Sequence, residues 1–166
     1  MGRIDKESYY LDIAETVRER STCSRSHSGA LIVRNDEIVS TGYNGAPRGR
    51  SNCIDLGYCI RERLGIPAGE RYELCRSVHA EMNAIISAAR SECIGGTIYL
   101  AGRDVATGEL IPDLLPCPMC RRMIINAGLS KIVIRRTPST YDILNVQDWV
   151  FHDDSVIDPS ESGEQA

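Results

Sequence analysis

The chain has 166 residues, 42% of them hydrophobic and 25% charged, with a formal net charge of −4. That length can bury one good core, so a single domain over 1–152 is expected. No apolar run approaches the ~18 residues of a membrane span, and the acidic balance offers no global basic face to a large nucleic acid, while leaving room for a small phosphorylated ligand.

The opening MGRIDKESYY lacks the apolar stretch of a signal peptide, so a cytoplasmic location is expected. Lys6 stands where N-myristoylation needs Ser or Thr, which excludes that anchor. Residues 6–20 place Tyr10, Ile13, Ala14 and Val17 on one stripe with charges opposite, predicting an amphipathic helix. GALIVRNDEIVSTGY, 29–43, reads as two strands around an Asn35-Asp36 turn. Residues 44–78 are rich in Gly, Pro, Arg and Cys and lack sustained periodicity, apart from a short helical stretch in CIRERLG, 59–65. A loop this long in a compact domain is usually functional or pinned.

A helix is predicted over 79–91, where Ala80, Ala84, Ile85, Ala88 and Ala89 recur without Gly or Pro. Thr97–Leu100 reads as a strand, and 102–116 as a connector turning at Gly102 and Gly108. Residues 118–127 form a helix opened by Pro118 and stopped by Gly128, followed by a strand at Lys131–Ile134. From about Asp153 the chain is an acidic tail, expected to be disordered. A hairpin followed by two helix-to-strand crossovers implies an α/β protein, a mixed sheet with helices on both faces.

Chemistry concentrates at His79-Ala80-Glu81 and Pro116-Cys117-Pro118-Met119-Cys120. The pattern H-x-E with P-C-x-x-C is that of zinc deaminases: His79, Cys117 and Cys120 would hold zinc, and Glu81 would move protons without binding the metal. Three protein ligands leave the open position of a catalytic zinc. His79 and Glu81 lie about 200° apart on an ideal helix, so they converge on one water only if His79 sits at the frayed first turn. A lone C-x-x-C suits a redox pair equally well. The upstream H-A-E has no purpose in that reading and favours zinc.

The segments Thr41-Gly42-Tyr43-Asn44-Gly45-Ala46-Pro47-Arg48-Gly49, Val78-His79-Ala80-Glu81-Met82-Asn83-Ala84-Ile85 and Pro116–Cys120 resemble deoxycytidylate (dCMP) deaminases of the cytidine deaminase superfamily, over about residues 5–136. H-A-E with P-C-x-x-C is common to the superfamily, which includes tRNA adenosine, guanine and riboflavin-pathway deaminases. G-Y-N-G-x-P points to dCMP, and His79 stands where nucleoside deaminases typically carry Cys. The resemblance implies a three-layer αβα sandwich around a mixed five-stranded sheet, and hydrolysis of dCMP to dUMP and ammonia in pyrimidine deoxynucleotide synthesis. Another cytosine nucleotide or tRNA adenosine is the alternative substrate, and a zinc-stabilised regulatory or assembly module the non-enzymatic one. Intact Glu81 argues against the latter.

By the same resemblance the Ala80 backbone would hold the base edge and Asn44 the deoxyribose, although Asn before Gly45 is also a natural turn residue. Ser24 and Arg25 are the first choice for the 5′-phosphate, with Arg48, Arg121 and Arg122 as alternatives. Tyr141 could line the pocket or lie on the surface. Family members are often homohexamers, activated by dCTP and inhibited by dTTP, an effector that could bring Mg²⁺, with Gly42, Tyr43, Asn44 and Gly45 in the effector region. Of seven cysteines, Cys23, Cys53, Cys59 and Cys75 precede the catalytic helix. Some dCMP deaminases carry a structural zinc whose cysteine ligands match positions 23 and 53, and Cys59 and Cys75 would complete a closed site. Disulfides are the rival reading, and Cys93 is ordinary core.

Overall fold

A computed structural model describes residues 2–153; the acidic tail beyond Asp153 lies outside the described residues. Helix α1, Lys6–Val17, is capped by the Asp5 carboxylate, which accepts from the Ser8 N–H at 2.9 Å. It runs into a 3₁₀ turn at Arg18–Arg20. Strands β1, Ser26–Arg34, and β2, Glu37–Tyr43, form the expected hairpin. Asn35 and Asp36 both take positive φ, 50° and 66°, which a two-residue hairpin turn demands.

The long segment that follows is punctuated by helices α2, Cys53–Leu56, and α3, Ile60–Arg63, and by a 3₁₀ turn at Tyr72–Leu74. Helix α4 covers Ala80–Ile86, and α5 Arg90–Cys93. Strand β3 is Thr97–Asp104, α6 Pro118–Ala127, β4 Lys131–Thr137, β5 Thr140–Asn145 and α7 Val146–Phe151.

The five strands lie in the order β2-β1-β3-β4-β5, with only β3 and β4 parallel. Alternation along them divides the interior in two. Ala30, Ile32, Ile98, Leu100, Ile132 and Ile134 face one side and pack against α4 and α6. Leu31, Val33, Tyr99, Ala101 and Val133 face the other and receive Tyr10, Leu11 and Ala14 of α1. This is the expected αβα sandwich. Arg135, fully buried under α1, pairs with Asp12 there.

Two departures from the sequence reading have local causes. The helix expected over 79–91 stops at Ile86, because Ala89 is extended and its N–H is taken by the Glu92 carboxylate at 3.2 Å. The break lets Cys93 join the core beside Ile98 and Leu129. Strand β5 and helix α7 carry no clear signal in the sequence. β5 is an edge strand with mostly exposed side chains, so it has no alternating pattern to detect.

Candidate active site

Two helix starts meet beneath the sheet. His79 is the N-cap of α4, with extended backbone (φ −71°, ψ 158°), so it stands outside the helix whose first turn carries Glu81. This is the placement the i, i+2 spacing required. Cys117 is the N-cap of α6, and Cys120 lies one turn on, 0% exposed. His79 Nδ1 is 3.4 Å from both Cys117 Sγ and Cys120 Sγ. Tetrahedral zinc with bonds of about 2.1 Å to nitrogen and 2.3 Å to sulfur separates such atoms by about 3.5 Å. The three donors therefore fit zinc in spacing and chemical type.

Segment 42–45 holds α4 in place. A Cβ on Gly42 would lie 2.3 Å from both the Ala80 carbonyl oxygen and the Ala84 nitrogen, so only glycine lets α4 sit this close to β2. Gly45 exchanges backbone hydrogen bonds with Val78, at 3.1 and 2.8 Å, immediately before His79. Asn83 Nδ2 donates to the Tyr43 carbonyl at 2.8 Å. The residues implied to bind an effector thus also pack against and hydrogen-bond the catalytic helix.

The three donors shift one another's pKa. Cys117 is lowered to about 4 by the hydrogen bond from Cys120 and by His79, against its burial. Cys120 is pushed up by its bond to Cys117, by burial and by Glu81. Burial opposes charge on His79, but Cys117 and Cys75 outweigh it and raise the imidazole to about 10. A divalent cation would displace these protons. Glu81, 6% exposed, is raised chiefly by burial, with His79 opposing.

A cavity of about 540 Å³ opens over the centre, lined by His79, Ala80, Glu81, Cys117, Asn44 and Arg25 among others. Asn44 is 6% exposed. Its side-chain oxygen accepts from Ser21 Oγ at 2.6 Å and the Ser28 N–H at 2.8 Å, and its amide donates to the Ser26 carbonyl at 2.8 Å. One amide hydrogen is left for a ligand. Arg25 pairs with Glu62 at 3.1 Å.

Other expected residues lie elsewhere. Tyr141 does not line the cavity: it packs against the α1 side of the sheet and its hydroxyl donates to Asp5. Ser24 is absent from the lining, its hydroxyl buried without a partner among the described residues. Arg48 and Arg122 are exposed, and Arg121 donates to the Pro116 carbonyl and faces the Trp149 ring. Among the lining residues that the sequence does not single out are Arg61, Tyr72, Asp104 and Asp113. Nothing in C-I-R-E-R distinguishes Arg61 from Arg63 until the loop is folded.

All seven cysteines are free thiols, so the disulfide reading fails in this structure. Among the described residues, only His79, Cys117 and Cys120 bring three donors within 4.8 Å of one another. The closed four-cysteine site is therefore not assembled. Cys75 lies near His79, which helps to lower its thiol against burial, and Cys23 Sγ accepts from the Arg25 N–H at 3.4 Å. No helix among the described residues is long and apolar enough to cross a membrane.

A mixed sheet with two helix starts presenting a His-Cys-Cys triad and a buried carboxylate defines a zinc-dependent enzyme of the deaminase kind. The family model for the cytidine and deoxycytidylate deaminase zinc-binding region matches residues 4–136. The chain belongs to that family. It is 36% identical over 138 residues to the deoxycytidylate deaminase of Mycobacterium phage D29, covering 80% of this chain and 96% of the relative. It is 32% identical over 127 residues to that of Schizosaccharomyces pombe, covering 76% of this chain and 36% of the longer relative. The dCMP deaminase of cyanophage S-TIM5, solved with dCMP and dUMP, superposes with a TM-score of 0.54 at 27% identity, over 80% of this chain and 84% of that one.

Proposed function

We propose that the chain hydrolyses dCMP to dUMP and ammonia, supplying dUMP for pyrimidine deoxynucleotide synthesis. The observation that carries this reading is Glu81, buried beside the His79-Cys117-Cys120 triad in a cavity that Asn44 also lines. A purely structural metal would have no use for that carboxylate.

A zinc ion held by His79, Cys117 and Cys120 would act as a Lewis acid, lowering the pKa of a water there to about 7. The remaining work falls to the chain. Glu81 accepts the water's proton as oxygen approaches C4 and delivers it to N3 of the cytosine, then carries the proton of the new C4 hydroxyl to the 4-amino group, which leaves as ammonia as the C4 carbonyl forms. The ring gains electron density as the oxygen adds, so protonation at N3 stabilises the transition state. A carboxyl raised by burial suits this exchange, since it must take and return a proton near neutral pH. The Ala80 backbone meets the base edge, and the remaining Asn44 amide hydrogen meets the sugar.

A second, structural zinc at Cys23, Cys53, Cys59 and Cys75 is not part of this reading, because among the described residues those thiols do not come together as a ligand set. One zinc per chain is the expected count. Homohexamer assembly and control by dCTP and dTTP, with Mg²⁺ on the effector, are proposed on family resemblance.

Ammonia release from dCMP, CMP, dCTP and deoxycytidine, compared side by side with and without dCTP and dTTP, tests the substrate. dCMP is expected to be turned over fastest. Preference for another substrate overturns the reading.

A further inference from the structure

Arg61 is 5% exposed, with no ion pair among the described residues. Its Nη2 donates to the carbonyl oxygens of Pro67 at 2.7 Å and Glu70 at 2.6 Å, and its guanidinium lies 4.3 Å above the centre of the Tyr72 ring. Its Nε is buried without a partner, and Nη1 makes no hydrogen bond among the described residues. Glu73, which feels the Arg61 charge, is paired with Arg71. Its direct contacts are thus neutral dipoles and a ring face, and its charge also helps to lower the nearby Cys75 thiol. Buried charges are normally paired, and a buried donor without a partner calls for an explanation.

The location supplies one, because Arg61 lines the same cavity as His79 and Glu81. Tyr72 takes the guanidinium on its face and stands edge-on to the His79 imidazole, ring centres 5.3 Å apart. These two contacts in series keep the guanidinium within about 10 Å of the metal-binding ring. Arg25 shares the cavity, but Glu62 already offsets its charge.

We propose that Arg61 is the cavity's anion-recognition residue, taking the 5′-phosphate of the nucleotide through donors the fold leaves unengaged, and so selecting nucleotides over nucleosides. This rests on the dCMP reading above. Nη2 spends its hydrogens on Pro67 and Glu70, so the Nε and Nη1 N–H groups are the ones left to make charge-assisted hydrogen bonds to phosphate oxygens. Tyr72 and the two carbonyls already fix its plane, so little side-chain freedom is lost on binding.

The test is kcat/KM for dCMP and for deoxycytidine, in wild type and Arg61→Gln, with zinc content measured alongside. In the variant, kcat/KM for dCMP falls roughly 10- to 100-fold, mainly through KM. Deoxycytidine turnover and zinc content stay at wild-type levels. An unchanged preference for dCMP overturns the proposal, as does equal loss on both substrates, which would make Arg61 a clamp for its loop. Wild type with no preference for dCMP removes the substrate reading itself, a separate outcome. If Arg61→Gln does not fold, Arg61→Lys, which keeps the charge but has no donors at the Nε and Nη1 positions, is expected to lose much of the dCMP preference; full retention overturns the proposal.

Discussion

Ser21 and Asn44, far apart in sequence, meet in a 2.6 Å hydrogen bond in which the serine hydroxyl donates to the asparagine side-chain oxygen. The same oxygen accepts the Ser28 N–H, and the amide donates to the Ser26 carbonyl, so Asn44 ties the end of β2 to the start of β1. Asn44→Ala leaves these groups without partners and is expected to cost about 2–4 kcal/mol of stability. Ser21→Ala removes one donor and should cost about 1 kcal/mol. Urea unfolding checks both. An Asn44→Ala midpoint equal to wild type would leave Asn44 with a ligand role alone.

Gly42 allows a sharper separation of roles. Both atoms its missing Cβ would strike belong to the α4 backbone, which cannot swing aside as a side chain can. Gly42→Ala should push α4 outward, costing about 1–3 kcal/mol, and draw Glu81 away from the metal ligands. Activity measured without effector should drop together with the melting temperature. A variant with normal stability and basal rate, altered only in its response to dCTP or dTTP, would make Gly42 an effector contact and nothing more.

Much of this centre was legible in the sequence because its geometry is local. Cys117 and Cys120 share one helical turn, and the i, i+2 spacing forced His79 off the helix, where the structure has it as N-cap. The Asn35-Asp36 turn and the Gly128 stop, with φ 81°, follow from backbone preferences that one or two residues reveal. What was hidden depends on tertiary contact. The break after Ile86 carries no Gly or Pro and is stabilised by Glu92 capping Ala89. Arg61 was one arginine among many until the loop carried it onto Tyr72. Tyr141 went to the opposite side of the sheet because β5, the strand bearing it, has no burial pattern to betray it.

Alkaline stability should report on the α1 side of the sheet. Tyr10 and Tyr99 pack ring to ring there, centres 5.0 Å apart, and burial first of all pushes both hydroxyls up to about 12. A raised tyrosine pKa means that the folded state retains the proton longer than the unfolded chain, where it leaves near 10. The contribution is therefore fully present below about pH 10 and is lost as pH climbs toward 12. Urea midpoints should be level through the mildly alkaline range and then fall. Tyr10→Phe, which also loses the bond to Asp36, should start lower and decline less steeply. An equally steep decline would place the titrating group elsewhere.

Glu81 and the triad should separate cleanly into proton transfer and metal binding. Glu81→Gln keeps the size of the side chain and leaves His79, Cys117 and Cys120 untouched, so zinc should remain bound while deamination falls by roughly 10²- to 10⁴-fold. Cys117→Ser removes a thiolate ligand and should lose zinc and activity together. A strong chelator applied to the wild type should do the same and lower the melting temperature, since a metal bound only by the folded state stabilises it. Adding zinc back should restore both in the wild type, and only the melting temperature in Glu81→Gln. The informative measurement is zinc per chain beside ammonia release on the same samples. Substantial turnover in zinc-loaded Glu81→Gln would remove the carboxylate from the mechanism, and loss of zinc from that variant would make Glu81 part of the metal's support.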